Sequence, residues 1–411
     1  MTRIDVPEAL KELSEKTGVR FYLVGGFVRN SILFHGTEAT DIDICGSLTP
    51  DVIKEKFSGV AKVKDVSPRI GTVLVRYNHT SYEYTTFRKD SYPKGGIHTP
   101  HAVEFVSDLS SDYKRRDFTV NSMYADVLTG EVIDLCGGEQ DINDKLIRTV
   151  RTSEETFDED GLRLLRLVRF ASELGFDIEK TTYDGAKRYA NRLADISIER
   201  KREELDKILY SDFKYGLKNR ASFGLAKLKE LGLWQYFLKD YDLNLLYDQA
   251  TFGETLDNSS ESVRLIVFAL LLSDFDEQTI GRVFGRQGLG YPNVTLKEMQ
   301  IAREYLSVSS DEKENKIFIA NNKSYIALLD EISKVFAVKP TPSAVYEEIV
   351  SSGLPIRLKD LQVGKKEFEE YGIDNDNRSK VLNEMFIACY DKKRTLTTAE
   401  KIEILKKYGG K

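Results

Sequence analysis

The first sign of chemistry in this chain is a pair of aspartates separated by a single isoleucine. Asp41 and Asp43 stand in the apolar run DIDI. Alternate residues of a β-strand point to the same face, so the pattern predicts that both carboxylates project together while Ile42 is buried. Neighbouring carboxylates repel each other unless a cation lies between them, and Mg²⁺ prefers such hard oxygen ligands. The pair therefore predicts a magnesium site, and it can hold two ions, one that activates an attacking hydroxyl and one that steadies a leaving group.

Upstream of the aspartates, two glycines and an arginine complement a metal site. Gly25 and Gly26 follow the apolar run YLV, and Arg29 comes three residues later. Glycines leave the backbone uncovered, so their N–H groups can approach a triphosphate at a helix start, and the arginine adds a fixed positive charge. The glycines alone are more typical of a tight strand-to-helix turn beside solvated aspartates. Together with Arg29 and the aspartates they favour nucleotide binding.

The elements that must position these residues form two stretches of different character. Residues 1–148 alternate short apolar strands with turn signals, as in FYLVGG, IGTVLVRY, YEYTTFR and AVEFV. From about residue 153 helical periodicity dominates, and residues 154–174 are predicted to form a helix. Glycines and prolines predict a loop at 89–102 and a junction at 339–345. The fold class predicted is α+β, with one sheet domain followed by an all-α region.

Composition excludes several other classes of protein. The chain has 411 residues, a net charge of −6 and three dispersed cysteines, which predicts a multidomain protein in a reducing cytoplasm. No apolar run approaches the roughly 20 residues that span a bilayer, so no membrane association is predicted. All four histidines lie within the first 101 residues, which excludes a histidine–aspartate phosphohydrolase module from the rest of the chain. A local basic surface for nucleic acid is compatible with the acidic total.

Six motifs follow one another over about 200 residues. They are GGFVRN with DID, YTTFR (84–88), RRDFTVNSM (115–123), IDLCGG (133–138), EDGLRLLRLVRF (159–170) and ERKREEL (199–205). In these motifs the chain resembles the class II tRNA nucleotidyltransferase and bacterial poly(A) polymerase family of the polymerase β superfamily. The resemblance implies a catalytic head with a polymerase β-like palm at 1–148 and a base-recognising neck at 149–212. It further implies a helical body at 213–340 and a helical, tRNA-binding tail at 341–411.

The resemblance assigns the opening stretch to the nucleotide and its metal. Gly26 and Arg29, together with Gly25, would contact the incoming triphosphate. Asp41 and Asp43 would be the catalytic ligands of Mg²⁺, with Mn²⁺ as a substitute. These assignments agree with the chemistry expected of the same residues from their spacing.

Further residues are assigned by the other motifs. Glu83 is the candidate third catalytic carboxylate, and it is equally well read as an exposed strand residue. Arg116 and Asp117 match the motif that handles the nucleotide sugar, where an aspartate accepting from a 2′-OH would select ribose. Asn30 departs from the aspartate that the family usually carries, which weakens the expected anchor of Arg29.

A stripe of charged residues borders leucines in EDGLRLLRLVRF. Asp160, Arg163, Arg166 and Arg169 recur every three residues. An Asp160–Arg163 ion pair would be worth only about 0.2–0.5 kcal/mol. An aspartate accepts and an arginine donates, so the two match the amino group and ring nitrogen that cytosine and adenine present, and mismatch uracil and guanine. The resemblance implies this protein template, with Arg166 and Arg169 as further nucleotide-binding residues.

The function predicted is template-independent addition of CCA to the 3′ end of tRNA from CTP and ATP, with release of pyrophosphate. Partners are therefore tRNA and the two nucleotides, and no obligatory protein partner is expected. Within the same class, the alternatives are an enzyme that adds only CC or only A, and a poly(A) polymerase. Outside it, the alternative is a catalytically silent RNA-binding protein on the same scaffold.

Overall fold

The computed structural model describes residues 2–34, 42–92, 100–237, 249–272 and 277–409. The chain divides into two compact units, residues 1–242 and 243–411. The first unit contains the strands and eleven of the helices among the described residues, and the second contains helices. The α+β class is thereby confirmed. The finer division into head, neck, body and tail stays a prediction.

A mixed sheet organises the start of the first unit. Among the described residues it has seven strands in the order β3-β4-β5-β2-β1-β8-β9. Two short pairs, β6 with β7 and β10 with β11, lie outside it. The strands are β1 (Tyr22–Val24), β2 (Ile42–Gly46), β3 (Lys62–Ser67), β4 (Thr72–Tyr77), β5 (Thr80–Thr86), β6 (Arg88–Ser91), β7 (Ala102–Phe105), β8 (Tyr124–Asp126), β9 (Val132–Ile133), β10 (Leu146–Ile147) and β11 (Asp177–Ile178).

Helices surround the sheet and then build the rest of the chain. In the first unit they are α1 (Glu8–Thr17), α2 (Gly26–Phe34), α3 (Pro50–Lys56), α4 (Leu109–Asp112), α5 (Gly138–Asp144), α6 (Ser153–Glu159), α7 (Leu162–Leu174), α8 (Lys180–Arg188), α9 (Ile198–Leu209), α10 (Ser211–Lys214) and α11 (Arg220–Glu230). In the second they are α12 (Gln249–Asp257), α13 (Arg264–Leu270), α14 (Glu277–Phe284), α15 (Asn293–Val308), α16 (Glu312–Asn321), α17 (Ile326–Val335), α18 (Pro342–Ser351), α19 (Lys365–Glu370), α20 (Asn375–Asp391) and α21 (Thr398–Tyr408). No helix of the described chain is both long and apolar enough to cross a bilayer.

Strand β2 shows the alternation that its sequence predicts. Ile42 and Ile44 are buried, whereas Asp43 between them is exposed. Cys45 shares the face of Asp43 because side chains two residues apart on a strand point the same way. It is nevertheless buried, in a cluster with Val24, Phe87 and Tyr124. This face of the sheet is therefore covered at the Cys45 end and open at Asp43.

One local prediction is wrong in part. The predicted loop at 89–102 begins and ends in strand, since β6 and β7 form an antiparallel pair that joins Ser91 to Ala102. Residues 93–99 lie outside the described chain. The predicted junction at 339–345 contains the start of α18, and α17 and α18 pack against each other across it. The division of the chain at this junction stays a prediction, and the boundary between the two compact units falls near residue 242.

The predicted helix over residues 154–174 is broken at Asp160. This residue lies between α6 and α7 with extended backbone, φ −147° and ψ 101°. Its Oδ1 accepts a hydrogen bond of 2.9 Å from the N–H of Leu162, a local contact that competes with helix. Gly161 packs against backbone, because a Cβ there would lie 2.2 Å from the carbonyl oxygen of Arg192. The expectation that Asp160 continues the helical stripe of arginines is therefore wrong.

Candidate active site

Two carboxylates lie side by side at the open part of the sheet. Asp43 on β2 and Glu83 on β5 are in-register partners in a parallel pair of strands, and both residues are exposed. In-register residues of adjacent strands project to the same face about 5 Å apart. Asp41 lies outside the described residues, so its pairing with Asp43 stays a prediction. The structure gives Asp43 a carboxylate neighbour from a distant part of the chain.

This donor set fits a hard divalent cation. Mg²⁺ usually takes one or two protein carboxylates and completes its shell with water and phosphate oxygens. Asp43 and Glu83 supply such oxygens from adjacent strands. Within the described residues no group of three or more His, Cys, Asp or Glu is arranged to hold a metal ion. Two protein carboxylates would leave the rest of a cation's coordination shell to water and phosphate oxygens.

The turn from β1 to α2 lies beside Asp43. Gly25 adopts φ 74°, in the left-handed region that favours glycine. A Cβ on Gly25 would lie 3.7 Å from Oδ2 of Asp43. Gly26 is the first residue of α2, and the first N–H groups of a helix have no partner within it. A glycine turn and a helix start beside carboxylates form an arrangement suited to a phosphate chain and its cation.

Arg29 is buried at the same turn and is held in place from several sides. Its Nε and Nη2 donate to Oδ1 of Asn30 at 3.0 and 2.9 Å. Its Nη1 donates to Oδ1 of Asn121, and its Nη2 donates to the hydroxyl of Tyr215 at 3.1 Å. The guanidinium carbon is 5.5 Å from the ring centre of Phe170. Asn30 thus anchors Arg29 although it lacks the charge of an aspartate.

Asp112 organises the motif that contains Arg116, and the sequence interpretation missed it. The carboxylate is fully buried and accepts hydrogen bonds from the Arg88 backbone N–H at 3.0 Å, Arg115 Nε at 2.9 Å and the Tyr124 hydroxyl at 2.7 Å. Arg116 Nη2 adds an ion pair of 3.2 Å. The spacing of three and four residues before the two arginines is a signal that could have revealed this pairing.

The electrostatics of this cluster favour the ionised carboxylate. Burial alone would raise the pKa of Asp112, but the guanidinium groups of Arg116 and Arg115 hold the pKa well below its ordinary value. The guanidinium carbon of Arg116 also lies 5.1 Å from the ring centre of Tyr124. Arg116, predicted to bind nucleotide, therefore has a structural partner, and its contact with nucleotide stays a prediction.

Asp117 joins the sheet domain to α7. Arg166 directs both Nε and Nη2 at Oδ2 of Asp117, at 2.7 and 2.6 Å. Oδ1 of Asp117 accepts from the N–H of Phe118 at 2.8 Å. Burial acts to raise the pKa of Asp117, but the charge and hydrogen bond of Arg166 lower it. The two predicted nucleotide-binding residues are thus in direct contact.

Arg163 is fixed by backbone carbonyls. Its Nη2 donates to the carbonyl of Arg115 at 2.8 Å and its Nη1 to that of Thr156 at 3.2 Å. Its guanidinium carbon is 5.8 Å from the ring centre of Tyr92. Nε lies 3.9 Å from Oδ2 of Asp160, so the ion pair between the two predicted template residues is long. The structure thereby places an acceptor and a donor next to each other at the start of α7.

Arg169 faces a different environment from the other two arginines of α7. Its Nε lies 3.1 Å from Oε2 of Glu204 on α9 and 4.0 Å from Oε1 of Glu173. Its guanidinium carbon is 4.2 Å from the ring centre of Phe170. Burial lowers the pKa of Arg169. These contacts support a role in packing α7 against α9, and nucleotide binding by Arg169 stays a prediction.

Two family models match the chain. Residues 21–148 match the Poly A polymerase head domain. Residues 175–245 match the probable RNA and SrmB-binding site of polymerase A. The first match covers the sheet with Asp43, Glu83 and Arg29, and the second begins after α7.

Individual relatives and solved structures agree with these matches. The CCA-adding enzyme of Lactobacillus helveticus is 34% identical over 319 residues, which are 77% of this chain and 75% of that protein. The CCA-adding enzyme of Bacillus pumilus is 42% identical over 192 residues, 47% of this chain, and there the chain spans about half of the relative, 46%. The Bacillus stearothermophilus CCA-adding enzyme in complex with CTP superposes with a TM-score of 0.71 and 25% identity, over 97% of this chain and 95% of that one.

Proposed function

The chain belongs to the family of CCA-adding enzymes, and we propose that it adds C, C and A in turn to the 3′ end of tRNA. The nucleotides come from CTP and ATP, and each transfer releases pyrophosphate. The observation that carries this proposal is the in-register pair Asp43 and Glu83 beside the glycine turn of Gly25. It supports nucleotidyl transfer because metal ligands and a phosphate-binding turn meet at one place on the sheet.

In the transfer, the 3′-hydroxyl oxygen of the tRNA attacks the α-phosphorus and the bond to the β-phosphate breaks. Asp41, Asp43 and Glu83 would hold Mg²⁺, for which Mn²⁺ is a substitute. The metal would lower the pKa of the attacking hydroxyl and neutralise charge on the leaving pyrophosphate. Gly25, Gly26 and the buried guanidinium of Arg29 bind the triphosphate.

Base selection belongs to Asp160 and Arg163. The carboxylate accepts from the exocyclic amino group of cytosine or adenine, and the guanidinium donates to the neighbouring ring nitrogen. Uracil and guanine present these groups in reverse order, which leaves two mismatched pairs at about 1–3 kcal/mol each. The carbonyls of Arg115 and Thr156 orient the guanidinium for this task. Arg116 and Asp117 complete the site at the nucleotide sugar, and Arg166 and Arg169 are further nucleotide-binding residues.

Alternatives within the class are addition of CC only, addition of A only, and poly(A) synthesis. The match of residues 21–148 to the head domain of poly(A) polymerase applies to all of them. The L. helveticus relative, aligned over 75% of its length, favours complete CCA addition. The three dispersed cysteines support a cytoplasmic location, where thiols stay reduced.

The decisive experiment offers tRNAs that end at the discriminator base, at C and at CC, each with a single labelled nucleotide. Incorporation of C twice and then A once is expected. Runs of A on unrelated RNA would establish a poly(A) polymerase, and arrest after CC or incorporation of A alone would establish a partial enzyme. A chain that binds tRNA and incorporates nothing would be a silent RNA-binding protein.

A further inference from the structure

Asn121 carries a buried polar atom that the contacts described above do not use. The residue ends a 3₁₀ turn at Thr119–Asn121 and is 7% exposed. Its Oδ1 accepts a hydrogen bond from Nη1 of Arg29. Its Nδ2 has no hydrogen-bond partner in the part of the chain that the structure describes. Buried donors are almost always paired in native proteins, so a single unpaired amide calls for a physical explanation.

The orientation of this amide follows from its neighbour. A guanidinium donates hydrogen bonds and accepts none. The amide must therefore turn its oxygen to Arg29, because the flipped orientation would set the NH₂ group against another donor. The contact with Arg29 thus decides which amide atom is the oxygen, and Nδ2 of Asn121 is the donor without a partner among the described residues.

The backbone of Asn121 lies beside the glycine turn. The same Cβ position on Gly25 that lies 3.7 Å from Oδ2 of Asp43 lies 4.0 Å from the backbone oxygen of Asn121. A Cβ on Gly26 would in turn lie 3.6 Å from Nη2 of Arg29. Asn121 therefore borders both the glycine turn and the arginine that faces it. A ligand rich in acceptors would satisfy its amide there.

We propose that Nδ2 of Asn121 donates a hydrogen bond to a non-bridging oxygen of the incoming nucleoside triphosphate. This rests on the proposed function, because it takes the glycine turn and Arg29 as the triphosphate site. Asn121 then has two tasks. Its oxygen holds Arg29 beside the turn, and its NH₂ group binds the phosphate chain. The ribose 2′-hydroxyl could also accept this hydrogen bond, and a comparison of CTP with dCTP distinguishes it from phosphate.

The test uses Asn121→Asp in the full chain, with pyrophosphate and CTP as probes in the presence of Mg²⁺. The substitution keeps an oxygen for Arg29 and removes the NH₂ donor. Dissociation constants by calorimetry are expected to rise about tenfold to a hundredfold for both probes, since a hydrogen bond to a charged group is lost and a negative charge is added. The ratio of affinities for CTP and dCTP is expected to stay at its wild-type value.

Asn315→Asp is the matched control, because Asn315 on α16 is also buried and its Oδ1 lacks a partner among the described residues. It is expected to leave both dissociation constants unchanged. Should Asn121→Asp fail to fold, Asn121→Ala is measured instead, with a thermal melt to verify folding. Alanine removes the oxygen that holds Arg29 as well as the NH₂ donor, so a larger rise in both dissociation constants is expected. Unchanged affinity for pyrophosphate in a folded variant would overturn the inference, and so would a loss of discrimination between CTP and dCTP. Wild-type protein that binds CTP but never extends tRNA would refute the proposed function alone.

Discussion

At the scale of single residues, the proposed metal ligands and the proposed template pair would carry the chemistry. The spacing of Asp41 and Asp43 allowed a metal site to be predicted from the chain alone, because strand periodicity is a local property. Asp43 lies where it was expected, exposed between two buried isoleucines. Asp112 and Asn121 were not predicted as functional. The contact of Asp112 with Tyr124, and the Asn121 amide that lacks a partner among the described residues, depend on the folded chain.

Substitution of Asp43 by Asn tests the metal site. The variant loses a charged ligand with little change of shape, so we expect transfer to fall at least about a hundredfold, because the metal supplies several kcal/mol of charge stabilisation. Binding of tRNA, measured by filter retention, should change little. Asp65→Asn is the matched control, since Asp65 is an exposed carboxylate on β3 of the same sheet. Full turnover by Asp43→Asn would contradict the assignment.

Substitution of Arg163 by Ala tests the protein template. Without the guanidinium, the donor half of the base-reading pair is gone, and discrimination against UTP and GTP should fall by about tenfold or more. The measurement is kcat/KM for each of the four nucleotides on a tRNA that ends at CC. Arg200→Ala, which removes an exposed arginine from α9, should leave all four values in their original ratio. Unaltered discrimination in Arg163→Ala would refute the template.

At the scale of elements, the break between α6 and α7 sets the position of Asp160. The sequence predicted one helix because its apolar period continues through the break. The structure divides it because Asp160 bonds to the N–H of Leu162 and Gly161 packs on the backbone of Arg192. A local pattern cannot show a backbone that approaches from 30 residues away.

Substitution of Gly161 by Ala should destabilise the first unit. Its Cβ would lie 2.2 Å from a carbonyl oxygen, and relief of such overpacking costs typically about 1–3 kcal/mol. Urea unfolding followed by circular dichroism gives the free energy. Gly281→Ala in α14, whose Cβ would meet no heavy atom within 4 Å, should be neutral or stabilising by about 0.5–1 kcal/mol. Equal stability of the two variants would show that the break tolerates a side chain.

The ion pairs of Asp112 predict a pH dependence of stability. Its pKa is lowered in the folded state, so the unfolded state takes up its proton first as pH falls. Stability from this group is therefore complete above about pH 4, the ordinary range of an aspartate, and is lost as pH falls below it. Asp112→Asn should cost about 3–5 kcal/mol at pH 7, because buried arginines lose their partner. The difference in free energy of unfolding between wild type and variant, measured with urea, should be smaller at pH 3 than at pH 7. An equal difference at both pH values would contradict the role of the Asp112 charge.

At the scale of the first unit, contacts between distant segments hold the residues of the proposed nucleotide site together. Asp117 of the sheet domain meets Arg166 of α7, and Arg29 of α2 meets Tyr215, which follows α10. Tyr215 also stacks on Phe34, with ring centres 5.1 Å apart. Arg29, the proposed triphosphate ligand, is thus fixed partly by a residue that follows α10.

Removal of the Tyr215 hydroxyl should weaken nucleotide binding more than it weakens folding. Tyr215→Phe loses the hydrogen bond to Arg29 and keeps the stacked ring, so KM for CTP and ATP should rise a few-fold, as expected for about 1 kcal/mol. The melting temperature should move by only a few degrees. Tyr183→Phe, on α8, serves as control and should leave both KM values unchanged. An unchanged KM in Tyr215→Phe would show that Arg29 needs no support from this side.

The sequence by itself determined the α+β class, the strand that carries Asp43, the glycine turn and the arginines of α7. Each of these depends on periodicity or on backbone freedom within a few residues. Only the tertiary structure decided that Glu83 lies beside Asp43 and that Asp160 interrupts a helix. It also decided that Asn121 and Tyr215 form hydrogen bonds with Arg29. Strand register and the packing of separate segments fix those contacts, and both depend on the free energy of the whole folded unit rather than on any local pattern.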